Sequence, residues 1–163
     1  MVILWNTQTG EAEQRMTGGC RFVCSLAFSA DGVRLACGTP AGSIHVSDAT
    51  TGALLCSLQS LGEEDDEGER NDEVEWVQFS PVKKSILATI SDFMITLWDV
   101  DSGEKTISFA GTDGFAVFSP SGRTIATASV DDTSDVHLLG RDGRSAFEAE
   151  RSPAHRLLGL LLC

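Results

Sequence analysis

The sequence lacks the features that mark membrane, secreted and nucleic-acid-binding proteins. No hydrophobic run approaches the ~18 residues of a membrane span, and the first residues carry no basic flank of the kind found in signal peptides. Lysine and arginine total 12, against 24 aspartates and glutamates. Because phosphate contacts need clustered cations, we expect no direct nucleic-acid binding and no membrane partner.

Cysteine is present in an odd number, and its spacing suits neither a disulfide framework nor a metal site. Cys20 and Cys24 are four residues apart, but no second pair or suitably spaced histidine completes a zinc site. We therefore expect reduced, mostly buried thiols, with no metal and no cofactor. Such cysteines favour a reducing compartment, which is the cytoplasm or alternatively the nucleus.

Recognisable catalytic patterns are also missing. Two of the three histidines, His45 and His137, occupy equivalent positions in predicted strands and are expected to face outward. No spacing indicates a Ser-His-Asp set, and the chain has neither a glycine-rich phosphate loop nor a His-Glu metal motif. We therefore predict that the protein is not an enzyme and has no catalytic residues.

What the sequence does contain is an internal repeat. Phe-Ser pairs recur at Phe28, Phe79 and Phe118, which are 51 and 39 residues apart. The longer interval contains an acidic run, and removing about ten residues there brings the period close to 40. Similarity at a fixed period of this length indicates a repeat architecture.

Each unit has the pattern of four short strands. Leu26-Ala27-Phe28 and Val77-Gln78-Phe79 show the period-two alternation of a strand with one buried face. Turn residues follow, then a second and a third apolar strand, and then a glycine-bearing turn before the fourth. The glycines of these last turns, which suit a positive φ in a hairpin, are Gly10, Gly52, Gly103 and Gly143.

The third strand of one unit ends in Trp98-Asp99, and four antiparallel strands closed by this pair resemble the WD40 repeat. The resemblance implies an all-β fold: a partial WD40 β-propeller of about three four-stranded antiparallel blades plus half a blade at the N-terminus. The positions that match the structural motif of the family are Trp5, Thr89, Asp92, Trp98 and Asp99. No Gly-His pair precedes a first strand, so we expect blade order to depend more on hydrophobic packing than is usual in the family.

The repeat extends over residues 1–150. It divides into a partial blade at 1–20 and blades at about 21–60, 72–110 and 111–150, with an acidic insertion at 61–73 and a non-repeat tail at 151–163. Because an open arc leaves apolar sheet faces exposed, we expect the chain to be a fragment of a larger propeller. Two alternatives are completion by another chain or by self-association, and an open arc that stands alone.

The acidic insertion is the most distinctive local feature. The run Glu63–Glu75 contributes about −8 to the formal net charge of −12, and the resemblance implies that it opens on the face commonly used for binding. One interpretation is a solvated insertion, and the other is electrostatic capture of a basic protein segment. The residues that would make this capture are Glu63, Glu64, Asp65, Asp66, Glu67 and Glu69.

The resemblance to WD40 proteins implies a non-catalytic scaffold that binds protein or peptide segments. A second, shorter resemblance extends over about 25 residues, from Val46 to Glu69. It is to the angio-associated migratory cell protein family and its ribosome-assembly relatives. This resemblance implies the alternative function, an escort chaperone for a basic client such as a ribosomal protein.

Overall fold

The chain forms antiparallel strands throughout the part that the structure describes. A computed structural model of the chain describes residues 1–16, 22–60, 73–110, 114–129, 136–140 and 145–147. The strands are β1 (Val2–Trp5), β2 (Ala12–Met16), β3 (Ser25–Phe28), β4 (Arg34–Gly38), β5 (Ser43–Asp48), β6 (Leu54–Gln59), β7 (Trp76–Phe79), β8 (Ile86–Ser91), β9 (Met94–Asp99), β10 (Glu104–Ala110), β11 (Gly114–Phe118), β12 (Thr124–Ser129), β13 (Val136–Gly140) and β14 (Ser145–Phe147). Within these ranges, no helix is long and apolar enough to cross a membrane.

Consecutive strands pair with one another, so that each sheet is a meander. β1 and β2 form a two-stranded sheet, and three four-stranded sheets contain β3–β6, β7–β10 and β11–β14. We call the two-stranded sheet the half blade and the others blades 2, 3 and 4. This arrangement confirms the predicted all-β fold, an open part of a WD40-type propeller.

Apolar side chains pack between successive sheets, with no single central core. The interface between the half blade and blade 2 contains Val2, Met16, Leu35 and Cys37. The interface between blades 2 and 3 contains Ala36, Ile44, Val46, Leu58, Val74, Val77, Phe79, Leu87, Trp98 and Val100. The interface between blades 3 and 4 contains Ala88, Ile90, Ile95, Leu97, Ala116, Phe118 and Ile125. Each inner sheet is therefore stabilised from both sides, as in other stacked repeat proteins.

The three Phe-Ser units show the effect of an incomplete neighbour. Phe79 and Phe118 are only 4% and 9% exposed, because each packs on the preceding blade, whereas the equivalent Phe28 is 53% exposed. Among the described residues the half blade has two strands, and β1 faces Leu26 and Phe28 across an open cavity that leaves both side chains about half exposed. The prediction that Leu26 and Phe28 form a buried face is therefore wrong, although their alternation with half-buried Ala27 is present.

The turn between the third and fourth strands explains the aspartate of the Trp-Asp pair. The carboxylate of Asp99 accepts hydrogen bonds from the backbone N–H groups of the second and third residues after it, at 3.0 and 3.3 Å. The N–H of Gly103 donates to the Asp99 carbonyl at 2.8 Å. Asn6 and Asp48 cap their own turns in the same way. As predicted, φ is positive in the described turns, at 74° for Gly10, 73° for Gly52 and 75° for Gly103, while Gly143 lies outside the described residues.

The cysteines do not all behave as expected. Cys24 and Cys56 are free thiols, whereas Cys37 is disulfide-bonded. The expectation of reduced thiols is therefore wrong for Cys37. Sequence spacing could not identify this bond, because connectivity depends on which thiols meet in the folded chain.

Candidate interaction surface

The two ends of the acidic insertion are anchored beside each other on blade 2. The N–H of Ser60, which follows β6, donates to the carbonyl of Gly42 at 2.8 Å, and the N–H of Val74, which precedes β7, donates to the carbonyl of Thr39 at 3.0 Å. Both acceptors belong to the β4–β5 turn. The described ends of the insertion therefore lie at the end of the sheets where β3 and β7 begin, and we call this end the insertion face.

Buried contacts hold these anchors against blade 3 and blade 2. The hydroxyl oxygens of Ser60 and Ser91 lie 2.5 Å apart, and both side chains are buried. Val74 is fully buried and lies against Gly38 so closely that a Cβ on Gly38 would be 2.6 Å from Val74 Cγ1. Only glycine fits without displacement of the backbone. The base of the insertion is thus part of the packed interface between two blades.

A thiol–carboxylate hydrogen bond adds a further contact at this face. The Sγ of Cys24 donates to Glu73 Oε1 at 3.1 Å. Desolvation of the sulfur, this hydrogen bond and the negative charges of Glu73 and Glu75 raise the pKa of the Cys24 thiol to about 11. A thiol with this pKa is protonated at neutral pH and is a poor nucleophile. Cys24 is therefore suited to holding the end of the insertion and unsuited to covalent chemistry.

Two exposed phenylalanines lie next to the anchors. Phe22, two residues before Cys24, is 77% exposed, and Phe93, two residues after Ser91, is 56% exposed. Phe93 and Asp92 have φ values of 56° and 48°, as a two-residue hairpin turn requires. Such a φ is unusual for a bulky side chain and costs conformational energy. Aromatic side chains, phenylalanine among them, are enriched at protein–protein interfaces.

The acidic residues predicted to bind a partner stay a prediction from the sequence. Those residues, which all lie outside the part of the chain that the structure describes, are Glu63, Glu64, Asp65, Asp66, Glu67 and Glu69. The described acidic residues of the same run are Glu73 and Glu75, which precede β7 on the insertion face. Electrostatic capture by the run stays a prediction, and the described residue Glu73 contacts Cys24 on this face.

The residues of the predicted structural motif occupy different environments. The indole N–H of Trp98 donates to the hydroxyl of Thr89 at 3.0 Å inside the blade. Asp99 caps the β9–β10 turn, and Asp92 lies in the β8–β9 turn on the insertion face. Trp5 lies at the end of β1 in the half blade and is 57% exposed.

Blade 4 shows what happens where the tryptophan is absent. Leu139 pairs with Ile125 of β12, just as Trp98 pairs with Leu87 of β8. Leu139 therefore occupies in blade 4 the backbone position that Trp98 occupies in blade 3. Thr127, the equivalent of Thr89, has a buried hydroxyl with no hydrogen-bond partner among the described residues. The Trp-Thr hydrogen bond is therefore specific to blade 3 within this comparison.

Sequence reasoning missed Ser60, Ser91 and Gly38, since their roles depend on residues of another blade. A usable signal did exist for the capping residues Asn6 and Asp48, because each lies four residues before a turn glycine. Within the described ranges, no three His, Cys, Asp or Glu side chains cluster as metal ligands would. His45 is half-buried, and its Nδ1 lies 3.2 Å from the Ser57 hydroxyl.

Comparison with known proteins gives a weak similarity to a WD repeat protein, in agreement with the Trp-Asp motif. No protein-family model matches the chain. Over 117 residues, which are 72% of this chain, it is 23% identical to the WD repeat-containing protein 91 homolog of Dictyostelium discoideum. The matched region spans 14% of the length of that relative. The comparison supports no subfamily, and together with the four-stranded antiparallel sheets it is consistent with a protein of the WD40 repeat type.

Proposed function

We propose that this chain is a non-catalytic protein-interaction scaffold of the WD40 type. The observation that supports the proposal most is the insertion face, where two contacts between blades 2 and 3 lie next to exposed phenylalanines and where Glu73 and Glu75 precede β7. Phe22 and Phe93 are anchored through their neighbours, since Cys24 contacts Glu73 and Ser91 contacts Ser60. The similarity to a WD repeat-containing protein agrees with a role in protein binding.

The two ends of the arc support a further part of the proposal. Leu26 and Phe28 on β3 are 49% and 53% exposed, and Phe115 and Val117 on β11 are 70% and 53% exposed. Where two described blades adjoin, the neighbouring blade covers the corresponding positions of the inner strand. Because exposed apolar faces of this kind mark surfaces that are normally buried, we infer that further strands beside the half blade cover the first pair and that a further blade covers the second. Under this proposal they belong to a longer polypeptide, to a partner chain or to a second copy of this chain.

Affinity purification of the full chain from a cell lysate tests the scaffold function. The test variant is Phe22→Ser with Phe93→Ser, and the control is Val33→Ser, whose side chain is 48% exposed in the β3–β4 turn at the opposite end of the sheets. We expect several partners that resist about 0.5 M salt, because apolar contacts are not screened. They should be lost in the double variant and retained in the control. Equal recovery with all three proteins would contradict a binding role for the insertion face.

The escort function is a second candidate, favoured by the charge of about −8 between Glu63 and Glu75. Under this alternative, one dominant basic protein is captured, and its binding weakens steeply with salt. Converting the six carboxylates predicted for capture to their amides should then abolish recovery of that protein. Retention of the same partners by the amide variant would exclude the escort function and leave the scaffold function standing.

A further inference from the structure

A cavity lies between blades 3 and 4 at the end of the sheets opposite the insertion face. Its volume is about 220 Å³. The apolar residues that line it, drawn from both blades, are Val82, Ile86, Leu97, Phe109, Phe118 and Ile125. Since an apolar cavity of about 150 Å³ accommodates benzene, this one has room for one large apolar side chain.

The rim of the cavity is cationic. Lys83 comes from the β7–β8 loop and Arg123 from the β11–β12 loop, and both side chains are exposed. Neither cation has a carboxylate within 4.0 Å in the ranges that the structure describes. Two cations that form no ion pair with a described residue therefore border the cavity, on a protein whose formal net charge is −12.

Neighbouring cations at the same end of the sheets are neutralised. Arg34 lies 2.6 Å from the carboxylate of Asp101, and Lys84 lies 3.8 Å from the carboxylate of Asp31. These pairs join blade 2 to blade 3. Lys83, next to Lys84 in the chain, differs in that it has no such ion pair among the described residues.

The walls of the cavity are positioned without a ligand. The N–H of Phe118 donates to Gln78 Oε1 at 2.9 Å, which joins the inner strand of blade 4 to that of blade 3. In the β7–β8 loop the N–H of Lys83 donates to the Ser80 hydroxyl at 3.2 Å, and after the β11–β12 loop the N–H of Thr124 donates to the Ser119 hydroxyl at 3.2 Å. Side-chain caps of this kind hold loops in one conformation, so binding would order little of the pocket.

We propose that this pocket binds an extended peptide segment in which one large apolar residue is flanked by aspartate or glutamate. The apolar side chain fills the cavity, and the flanking carboxylates lie against Lys83 and Arg123. Charge complementarity selects such a segment over a basic one, which is the opposite preference to that expected of the acidic insertion. The inference rests on the proposed scaffold function and adds a class of partner and a second docking surface.

Fluorescence polarisation with defined peptides tests this proposal on the full chain. The probe is a fluorescein-labelled peptide with glycine and serine flanks around a central Asp-Phe-Asp, and the companions carry Asn-Phe-Asn, Asp-Ala-Asp or Lys-Phe-Lys. We expect Asp-Phe-Asp to bind about fivefold more tightly than Asn-Phe-Asn, as two exposed charge pairs allow. Its affinity should be at least about tenfold higher than that of Asp-Ala-Asp, since the phenyl ring is buried in the complex. Equal affinity for the acidic and the basic peptide would overturn the proposal.

Variants at the rim and mouth locate the binding. Lys83→Gln with Arg123→Gln should weaken Asp-Phe-Asp about fivefold and leave Asn-Phe-Asn unchanged, while Lys105→Gln, which removes an exposed cation that does not line the cavity, should change neither. Ser121→Trp places an indole at the mouth and should reduce binding of both peptides. Unchanged affinities in the rim variant, with circular dichroism spectra equal to wild type, would refute the assignment.

The outcome separates this proposal from the scaffold function. If the peptides fail to bind while lysate partners still depend on Phe22 and Phe93, the pocket assignment is wrong and the scaffold function stands. If both the peptides and the lysate partners fail to bind, the scaffold function itself is refuted.

Discussion

One substitution, threonine to valine, is expected to have opposite effects at two equivalent positions of this protein. Thr89 and Thr127 are both buried, at 0% and 2% exposure, in the second strands of blades 3 and 4. The Thr89 hydroxyl accepts the indole N–H of Trp98 at 3.0 Å. The Thr127 hydroxyl has no partner in the part of the chain that the structure describes.

The expected free energies follow from this difference. Thr89→Val leaves the buried Trp98 N–H without an acceptor, which costs about 1–3 kcal/mol. The added methyl group recovers up to about 0.8 kcal/mol, so the free energy of unfolding should fall by about 1–2 kcal/mol. Thr127→Val removes an unsatisfied buried hydroxyl and adds the same methyl group, so the free energy of unfolding should rise by about 1 kcal/mol.

Urea unfolding followed by far-ultraviolet circular dichroism measures both effects. In thermal unfolding, each kcal/mol corresponds to about 2–4 °C for a chain of this size. Trp98→Phe provides a matched background, because the cost of Thr89→Val should shrink when the indole N–H is absent. The reasoning is refuted if both valine variants shift stability in the same direction by similar amounts, or if Trp98→Phe leaves the cost of Thr89→Val unchanged.

Four further predictions concern the insertion face. Phe93→Asn should raise the free energy of unfolding by about 1 kcal/mol, since asparagine tolerates φ near 56° better than phenylalanine does; a lower melting temperature would argue against backbone strain. Alkylation of Cys24 by iodoacetamide at about pH 8 should be slow, because its pKa is about 11, and Glu73→Gln should accelerate it; equal rates would contradict the hydrogen bond. Because the pKa is raised in the folded protein, the contribution of Cys24 to stability is complete below about pH 9 and is lost as the pH rises through about 11. Urea unfolding of wild type and Cys24→Ser at several pH values measures this loss. Gly38→Ala should destabilise the protein by about 1–3 kcal/mol in urea unfolding, because the new Cβ would clash with Val74. An unchanged urea midpoint would show that Val74 moves aside at little energetic cost.

The exposure of the inner strands shows where prediction from sequence succeeded and where it failed. The alternation in β7 predicted that Val77 and Phe79 lie on a buried face, and they do. The same alternation in β3 gave a wrong prediction for Phe28, because burial depends on the blade that precedes the strand. A strand pattern identifies which residues share a face, but it carries no information about what covers that face.

The candidate surfaces divide in a similar way. Charge counting identified the acidic run, and turn chemistry identified the hairpins on either side. The cationic rim of the cavity was not predicted, because Lys83 and Arg123 are 40 residues apart in the chain and each resembles an ordinary surface cation. Only the structure shows that the neighbouring cations Arg34 and Lys84 pair with Asp101 and Asp31, whereas Lys83 and Arg123 have no ion pair with a described residue.

The sequence by itself determined the strands, their meander order and the turns between them. These features depend on interactions within a few residues, such as the bond from Gly103 to Asp99, and such interactions recur wherever the local pattern recurs. Only the tertiary structure decided the Ser60–Ser91 contact, the Gln78–Phe118 hydrogen bond and the cavity between blades 3 and 4. The first two join residues 31 and 40 positions apart. Their geometry is set by how one sheet stacks on the next, and the packing of whole sheets is not encoded in any short segment.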